Sequence, residues 1–218
     1  MAEKLIEFIE MEDFKKLLSA EKDKRFKLAL VLLCGSGLRI SEVIGLHSLK
    51  SRCCKVDVID EKKKVDEKNR KFKICSKCGK VLIQKDMYRD KKDWQISPMM
   101  PDQINLEKHQ IKILEAKGQK DRVASTSPWL TKTNIQLLPL KIPRRTLQSR
   151  IKSLGKKVLG KDIHPHTFRH AWGNYMVNEK NVPLPVVQSL MGHTRLETTA
   201  IYLKANPKKA ANTAFEAF

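Results

Sequence analysis

Between Lys50 and Asp93 the sequence carries sixteen Lys or Arg and eight Asp or Glu, with few long apolar runs. A stretch this polar cannot supply its share of an apolar core. Any fold the chain adopts must carry it as an appendage and order it by other means. On either side the texture changes. Leu28-Ala-Leu-Val-Leu-Leu-Cys34-Gly and the segments beyond His109 show the apolar periodicity of packed helices and short strands. The expectation is one body built from both flanks, interrupted by a strand-rich insert over residues 51–106.

The flanks read as mainly α with a small antiparallel β-sheet. Residues 3–50 are expected to be helical, broken at Gly35 and Gly37, with a helix starting near Ser41 and running on through Leu46. Gln110-Ile-Lys-Ile-Leu-Glu-Ala alternates, meets Lys117-Gly118, and resumes at Arg122-Val-Ala-Ser, the pattern of a β-hairpin. Helices are expected over 142–159, 166–177 and 183–191. The last is closed by Gly192, and Thr194 with Glu197 forms a capping-box pattern for another helix before Tyr202. Within the insert, Lys55–Ile59, Phe72–Ile74 and Val81–Ile83 read as short strands.

Charge narrows the partner. Against 24 Asp and Glu stand 44 Lys and Arg, a formal net charge of +20, which favours a polyanion over a small metabolite. A membrane surface is the competing polyanion, but no apolar run has spanning length, and Met1-Ala-Glu-Lys opens no secretory signal. A reducing, cytoplasmic compartment follows as an expectation, and nucleic acid as the partner.

Against that background one set of residues points to chemistry. His166 and Arg169 are three apart and share the first turn of a helix, where free N–H groups already favour an anion. His193 follows a helix-ending glycine, and Tyr202 lies nine residues later. Far upstream, Arg39 sits at a helix–turn–helix joint. Arginine's planar, permanently charged fork suits phosphate, and a phenol among such cations can attack one. Singly, each residue has a plainer explanation: Tyr202 as a packed aromatic, Arg39 as a surface or salt-bridged side chain.

Together, Gly37-Leu-Arg39-Ile-Ser-Glu42, Ala116-Lys117-Gly118-Gln-Lys-Asp-Arg122, Pro165-His166-Thr-Phe-Arg169-His-Ala and Leu190-Met-Gly-His193 through Tyr202 resemble the catalytic domain of the tyrosine recombinases, the phage-integrase and Xer type. The resemblance covers residues 5–50 and 108–205. It implies that fold, into which this chain sets a zinc-ribbon-like β insertion that the resemblance does not cover, and site-specific cutting and rejoining of double-stranded DNA through a 3′-phosphotyrosyl link. By the same resemblance, Tyr202 is the nucleophile, Arg39 and Arg169 clamp the phosphate, and His193 adds a hydrogen bond. His166 acts as general base and Lys117 as general acid; Lys120 lies close by, and a basic hairpin that merely follows DNA backbone is the alternative for this turn. Glu42 supports the first arginine. No nucleotide triphosphate or catalytic metal is implied, and a homo-oligomer, dimer or tetramer, on DNA is.

The insert adds four clustered cysteines. Arg39 and Lys117 are 78 positions apart, more than the family's short connecting sheet requires. Cys75-Ser-Lys-Cys78-Gly has the form of half a zinc ribbon, and Cys53-Cys54 offers an irregular second half, with His47 able to replace one of them. A structural zinc on Cys53, Cys54, Cys75 and Cys78 is the expectation; a metal-free insert is the alternative. The trio His164, His166 and His170 lacks the glutamate of a zinc-protease helix. The family's N-terminal core-binding domain is expected to be absent, since Arg39 comes too early for it. The tail with Phe215 and Phe218 is expected either to dock on a neighbouring protomer or to fray. Two rival functions share these features: a type IB topoisomerase-like enzyme and a non-catalytic, zinc-containing DNA-binding protein.

Overall fold

The computed structural model describes residues 9–65, 68–114, 121–193, 195 and 197–202. The hairpin turn with Lys117 and Lys120, the Thr194 cap and the Phe215–Phe218 tail lie outside the described residues.

Helix α1 (Met11–Ala20) is amphipathic and buries Phe14, Leu17 and Leu18. Asp23 caps α2 (Lys24–Leu30) by accepting from the backbone N–H groups of Arg25 and Phe26, offsetting two of the unpaired donors of a helix start. The helix widens into a π-helical turn, Val31–Gly35, before α3 (Ile40–Ile44). Downstream, α4 (Lys132–Ile135), α5 (Arg144–Leu159), α6 (Pro165–Asn174), α7 (Leu184–Met191) and α8 (Glu197–Ala200) complete the helical body. The main core joins α1 to α6 through aromatic edges: Phe14 meets Trp129 at 5.2 Å and Phe168 at 6.1 Å between ring centroids. Glu21 accepts two hydrogen bonds from Arg150, at 2.7 and 3.0 Å, and so fastens the end of α1 to α5. A second, smaller cluster packs Trp172, Val187, Met191 and Tyr202. Among the described residues no helix is long and apolar enough to cross a membrane.

The strands form small antiparallel sheets, so the architecture is α+β as expected. Strand β1 (Leu46–Ser51) pairs with β5 (Met87–Ile96); β2 (Val58–Val65), β3 (Lys68–Cys75) and β4 (Val81–Leu82) follow in sequence order; β6 (Ile104–Asn105), β7 (Gln110–Ile113) and β8 (Arg122–Ser125) make the third sheet. One reading of the sequence changes. Residues 46–50 are strand rather than the continuation of a helix, because Gly45 takes φ +78° and ends α3. Trp94 packs so closely there that a Cβ on Gly45 would stand 2.4 Å from its ring. β5 is also a strand although its Lys- and Asp-rich sequence does not alternate. Its partner β1 selects that conformation, through a register that slips around His47, and tertiary context here overrides weak propensity.

Candidate active site

α7 ends at Gly192, whose φ of +65° is the left-handed close of a helix. The last carbonyls of any helix lack intrahelical partners. Here three in succession are each taken by an arginine. Arg122 Nη1 donates to the carbonyl of Leu190 at 2.5 Å, Arg169 Nη2 to that of Met191, and Arg39 Nη2 to that of Gly192 at 2.8 Å. Gly192 also has no room for a side chain, since a Cβ would meet Arg122 Cδ and Nε at 2.5 Å.

Each arginine arrives from a different element. Arg39 is the N-cap of α3, and Glu42, in that helix's first turn, reaches back to its backbone N–H at 2.7 Å and to its Nη1 at 2.8 Å. Arg122 opens β8 and donates to Glu42 Oε1 at 2.8 Å. Arg169, 1% exposed, extends from α6 and also donates to the Gly37 carbonyl at 2.7 Å. Burial raises the pKa of the Glu42 carboxyl, but Arg122, the Arg39 N–H, and the charges of Arg39 and Arg169 outweigh it and hold it below the ordinary carboxylate value. Burial, followed by the charge of Arg39, lowers the Arg169 guanidinium to about 10. It remains a cation at neutral pH, in a strongly positive setting.

The remaining residues surround this cluster. His164 caps α6, with Pro165 at the first helical position, where its missing N–H costs nothing. His166 then lines a cavity of about 320 Å³ with Arg39, Arg144, Gln148 and Arg169. His193 Nδ1 lies 2.8 Å from Thr199 Oγ1; with the threonine hydroxyl donating, the ring proton sits on Nε2, ready for an anion. Tyr202, directly beyond α8, is fully buried. Its hydroxyl lies 3.1 Å from His170 Nδ1, and the edge-on ring of His170 leads to that of His166 at 4.5 Å between centroids. Burial, and then the charges of Arg169 and Arg39, lowers the pKa of His166. His193 falls to about 4 from burial, then Arg169 and Arg39, and His170 to about 4 from burial, then His166 and Arg169. Burial raises Tyr202 to about 12 against the pull of Arg169.

Thus Arg39, Glu42, His166, Arg169, His193 and Tyr202 share one region, while Lys117 lies outside the described residues. Arg122, His170 and Thr199 were not singled out from sequence as parts of this site. Arg122 and His170 fall inside the quoted motifs, but their residue types and spacing give neither a role there.

The four cysteines of the insert also converge, with their sulfurs within 4.8 Å of one another. Cys53 and Cys54 lie in a turn closed by the Lys55 N–H to the Ser51 carbonyl at 2.9 Å; Cys75 and Cys78 lie in one closed by the Gly79 N–H to the Cys75 carbonyl at 2.9 Å. His47 stands apart, stacked on Trp94 at 3.8 Å between ring centroids.

Residues 137–209 match the model of the Phage integrase family. A tyrosine recombinase of Thermosipho africanus (strain TCF52B) is 28% identical over 204 residues, covering 92% of this chain and 58% of the relative. The crystal structure of XerA recombinase superposes with a TM-score of 0.60 at 16% identity, over 99% of this chain and 66% of that one. XerH site-specific recombinase bound to palindromic difH substrate, a post-cleavage complex, gives 0.55 at 16% identity, over 97% and 53%. The chain shares the fold of these recombinase structures. It spans a little over half the length of the Thermosipho relative.

Two outcomes follow from the charges of the site. Glu42→Gln removes the carboxylate that Arg39 and Arg122 share, and breaking a buried pair costs roughly 3–5 kcal/mol. Urea unfolding should register that loss, and a change below about 1 kcal/mol would put these pairs with ordinary surface ones. The lowered pKa values of His166, His170 and His193 mean that the unfolded chain binds protons that the folded one refuses. Their stabilisation is full above about pH 6.5 and is lost as pH falls toward about 4. The urea midpoint should therefore drop between pH 7 and pH 5, and a flat midpoint across that interval would contradict the buried neutral imidazoles.

Proposed function

We propose that this chain is the catalytic part of a site-specific DNA recombinase or integrase, which cuts and rejoins double-stranded DNA through a 3′-phosphotyrosyl intermediate. One observation carries the reading: three arginines from distant segments are gathered on the end of α7, in the same region as a buried tyrosine hydroxyl. Arg39 and Arg169 flank the cavity and supply charge to the non-bridging oxygens of a phosphodiester, where it counts most as the five-coordinate state forms. Arg122 and Glu42 hold that pair in place. His193, neutral and donating from Nε2, adds a hydrogen bond. His166, facing the same cavity, is the general base toward the tyrosine, and Lys117 is the general acid for the leaving 5′-oxygen. The phosphotyrosyl bond keeps the energy of the broken phosphodiester, so rejoining draws on no nucleotide triphosphate. The formal charge of +20 supports a duplex partner through phosphate neutralisation. Two or four copies acting together on DNA inside the cell complete the proposal.

The cysteines support a structural zinc held by Cys53, Cys54, Cys75 and Cys78 in a ribbon-like insert over residues 51–106. Tetrahedral thiolates at about 2.3 Å from zinc stand roughly 3.8 Å apart, and Cys53 Sγ lies 3.7 Å from Cys78 Sγ. When bound, the metal would tie the two turns together where apolar side chains are few. Any role it has is in ordering the insert.

Incubation with nicked duplexes bearing candidate sites, which trap the cleaved strand, should yield a denaturation-resistant protein–DNA adduct from the wild type and none from Tyr202→Phe. An adduct with the phenylalanine variant, or none with any substrate, would sink the catalytic reading. Purified protein should hold close to one zinc per chain. Chelation should reduce the strand signal in circular dichroism and leave the helical signal, whereas a zinc content near zero would remove the metal from the account.

A further inference from the structure

We propose that Arg89, on strand β5 of the insert, together with Arg144 at the start of α5, binds a backbone phosphate of the duplex next to the scissile one. The inference rests on the recombinase reading above and gives the insert a part in holding the DNA. Arg144 opens α5 and lines the cavity of about 320 Å³ that Arg39, His166 and Arg169 share. Arg89 comes to that flank from the insert. Arg39, Ile40 and Ser41, at the start of α3, line the same cavity, and β1 follows α3 after Gly45 alone. On β5, Arg89 sits opposite Leu49 of β1. Its Nη1 donates to the His47 carbonyl at 2.6 Å, which fastens the guanidinium to the strand that leaves α3. The other donors of the fork make no hydrogen bond among the described residues.

The balance of charge around the two arginines favours an anion from outside. Both are open to solvent, and among the described residues neither forms an ion pair. Lys50, beside Leu49 on β1, shows the contrast: its Nζ holds Asp57 at 3.0 Å and Asp93 at 2.8 Å. Partial burial, and then the charge of Arg144, lowers the pKa of the Arg89 guanidinium, so the two cations lie within each other's field. Such groups repel until an anion joins them, and a planar, permanently charged fork suits phosphate. A duplex supplies that anion in the right place. It carries one charge per about 1.7 Å of its axis, so a phosphate held in the cavity brings neighbours to its rim. Contacts of this kind set register and orientation without reading sequence.

The test is made in Tyr202→Phe protein, which leaves the duplex uncut, by titrating binding across a range of salt. Arg89→Gln should weaken binding to duplexes with and without a candidate site alike. It should also make the slope of log affinity on log salt shallower by about 1, whereas Arg89→Lys, which keeps the charge, should keep the slope. Neutral methylphosphonates placed one at a time along the strand then locate the contact. A replacement next to the phosphate joined in the wild-type adduct should weaken binding of the parent and have little further effect in Arg89→Gln, since both changes remove one pair. Arg144→Gln should lose sensitivity at the same position, and it serves as the second variant if Arg89→Gln does not fold. An unchanged salt slope in both glutamine variants, or the full methylphosphonate penalty retained in both, would overturn the proposal, as would a parent that binds no duplex. Wild-type protein that binds duplex but forms no adduct would instead count against the recombinase reading itself.

Discussion

The C-terminal turn of α7 is the frame on which the rest of the site hangs. A helix end presents carbonyls that no intrahelical donor can reach, and it is the negative end of the helix dipole. Leu190, Met191 and Gly192 each give theirs to a different guanidinium. Like charges brought this close repel, so the arrangement needs both these oxygens and the Glu42 carboxylate. Each arginine is thereby held in direction as well as position. That kind of preorganisation makes a charged group effective at a reacting phosphate, because little has to rearrange when charge develops.

The same field governs the neighbouring titrations. Histidines that would otherwise be half-protonated in mildly acidic solution are kept neutral by burial and by the cations beside them. A neutral imidazole can accept one proton or donate one hydrogen bond, according to tautomer. His193 is set against Thr199 and His170 against Tyr202. Neutral imidazoles and guanidinium groups fixed in direction are thus two consequences of one cluster of charge.

How much of this the sequence discloses differs from residue to residue. Arg39, Glu42, His166, Arg169, His193 and Tyr202 are legible because short motifs place them beside caps, turns and glycines. Arg122 is less so. As the first residue of β8 it looks like any cation on a basic hairpin, and nothing local says that α7 ends above it. His170 can be placed on a face of α6 by periodicity, but the Tyr202 ring opposite it comes from 32 positions away. In the insert, adjacent cysteines are a poor match to the usual spacing. The two closed turns that bring their sulfurs together depend on strand pairing that charge-rich sequence barely encodes. β5 is the plainest example, being strand because β1 is there to pair with it.

The sequence by itself determined the local physics: the helices and their capping, the glycine at the end of α7, the polar insert that could not join the core, and a positive charge suited to a polyanion. Interactions of this kind act over a few residues and leave a readable pattern. The tertiary structure alone decided which groups meet. Arg39 finds the Gly192 carbonyl across 153 positions, and Arg169 finds that of Gly37 across 132. Contacts at such separations follow from how whole elements pack, through burial that is shared among many side chains and leaves no periodic trace in any one of them.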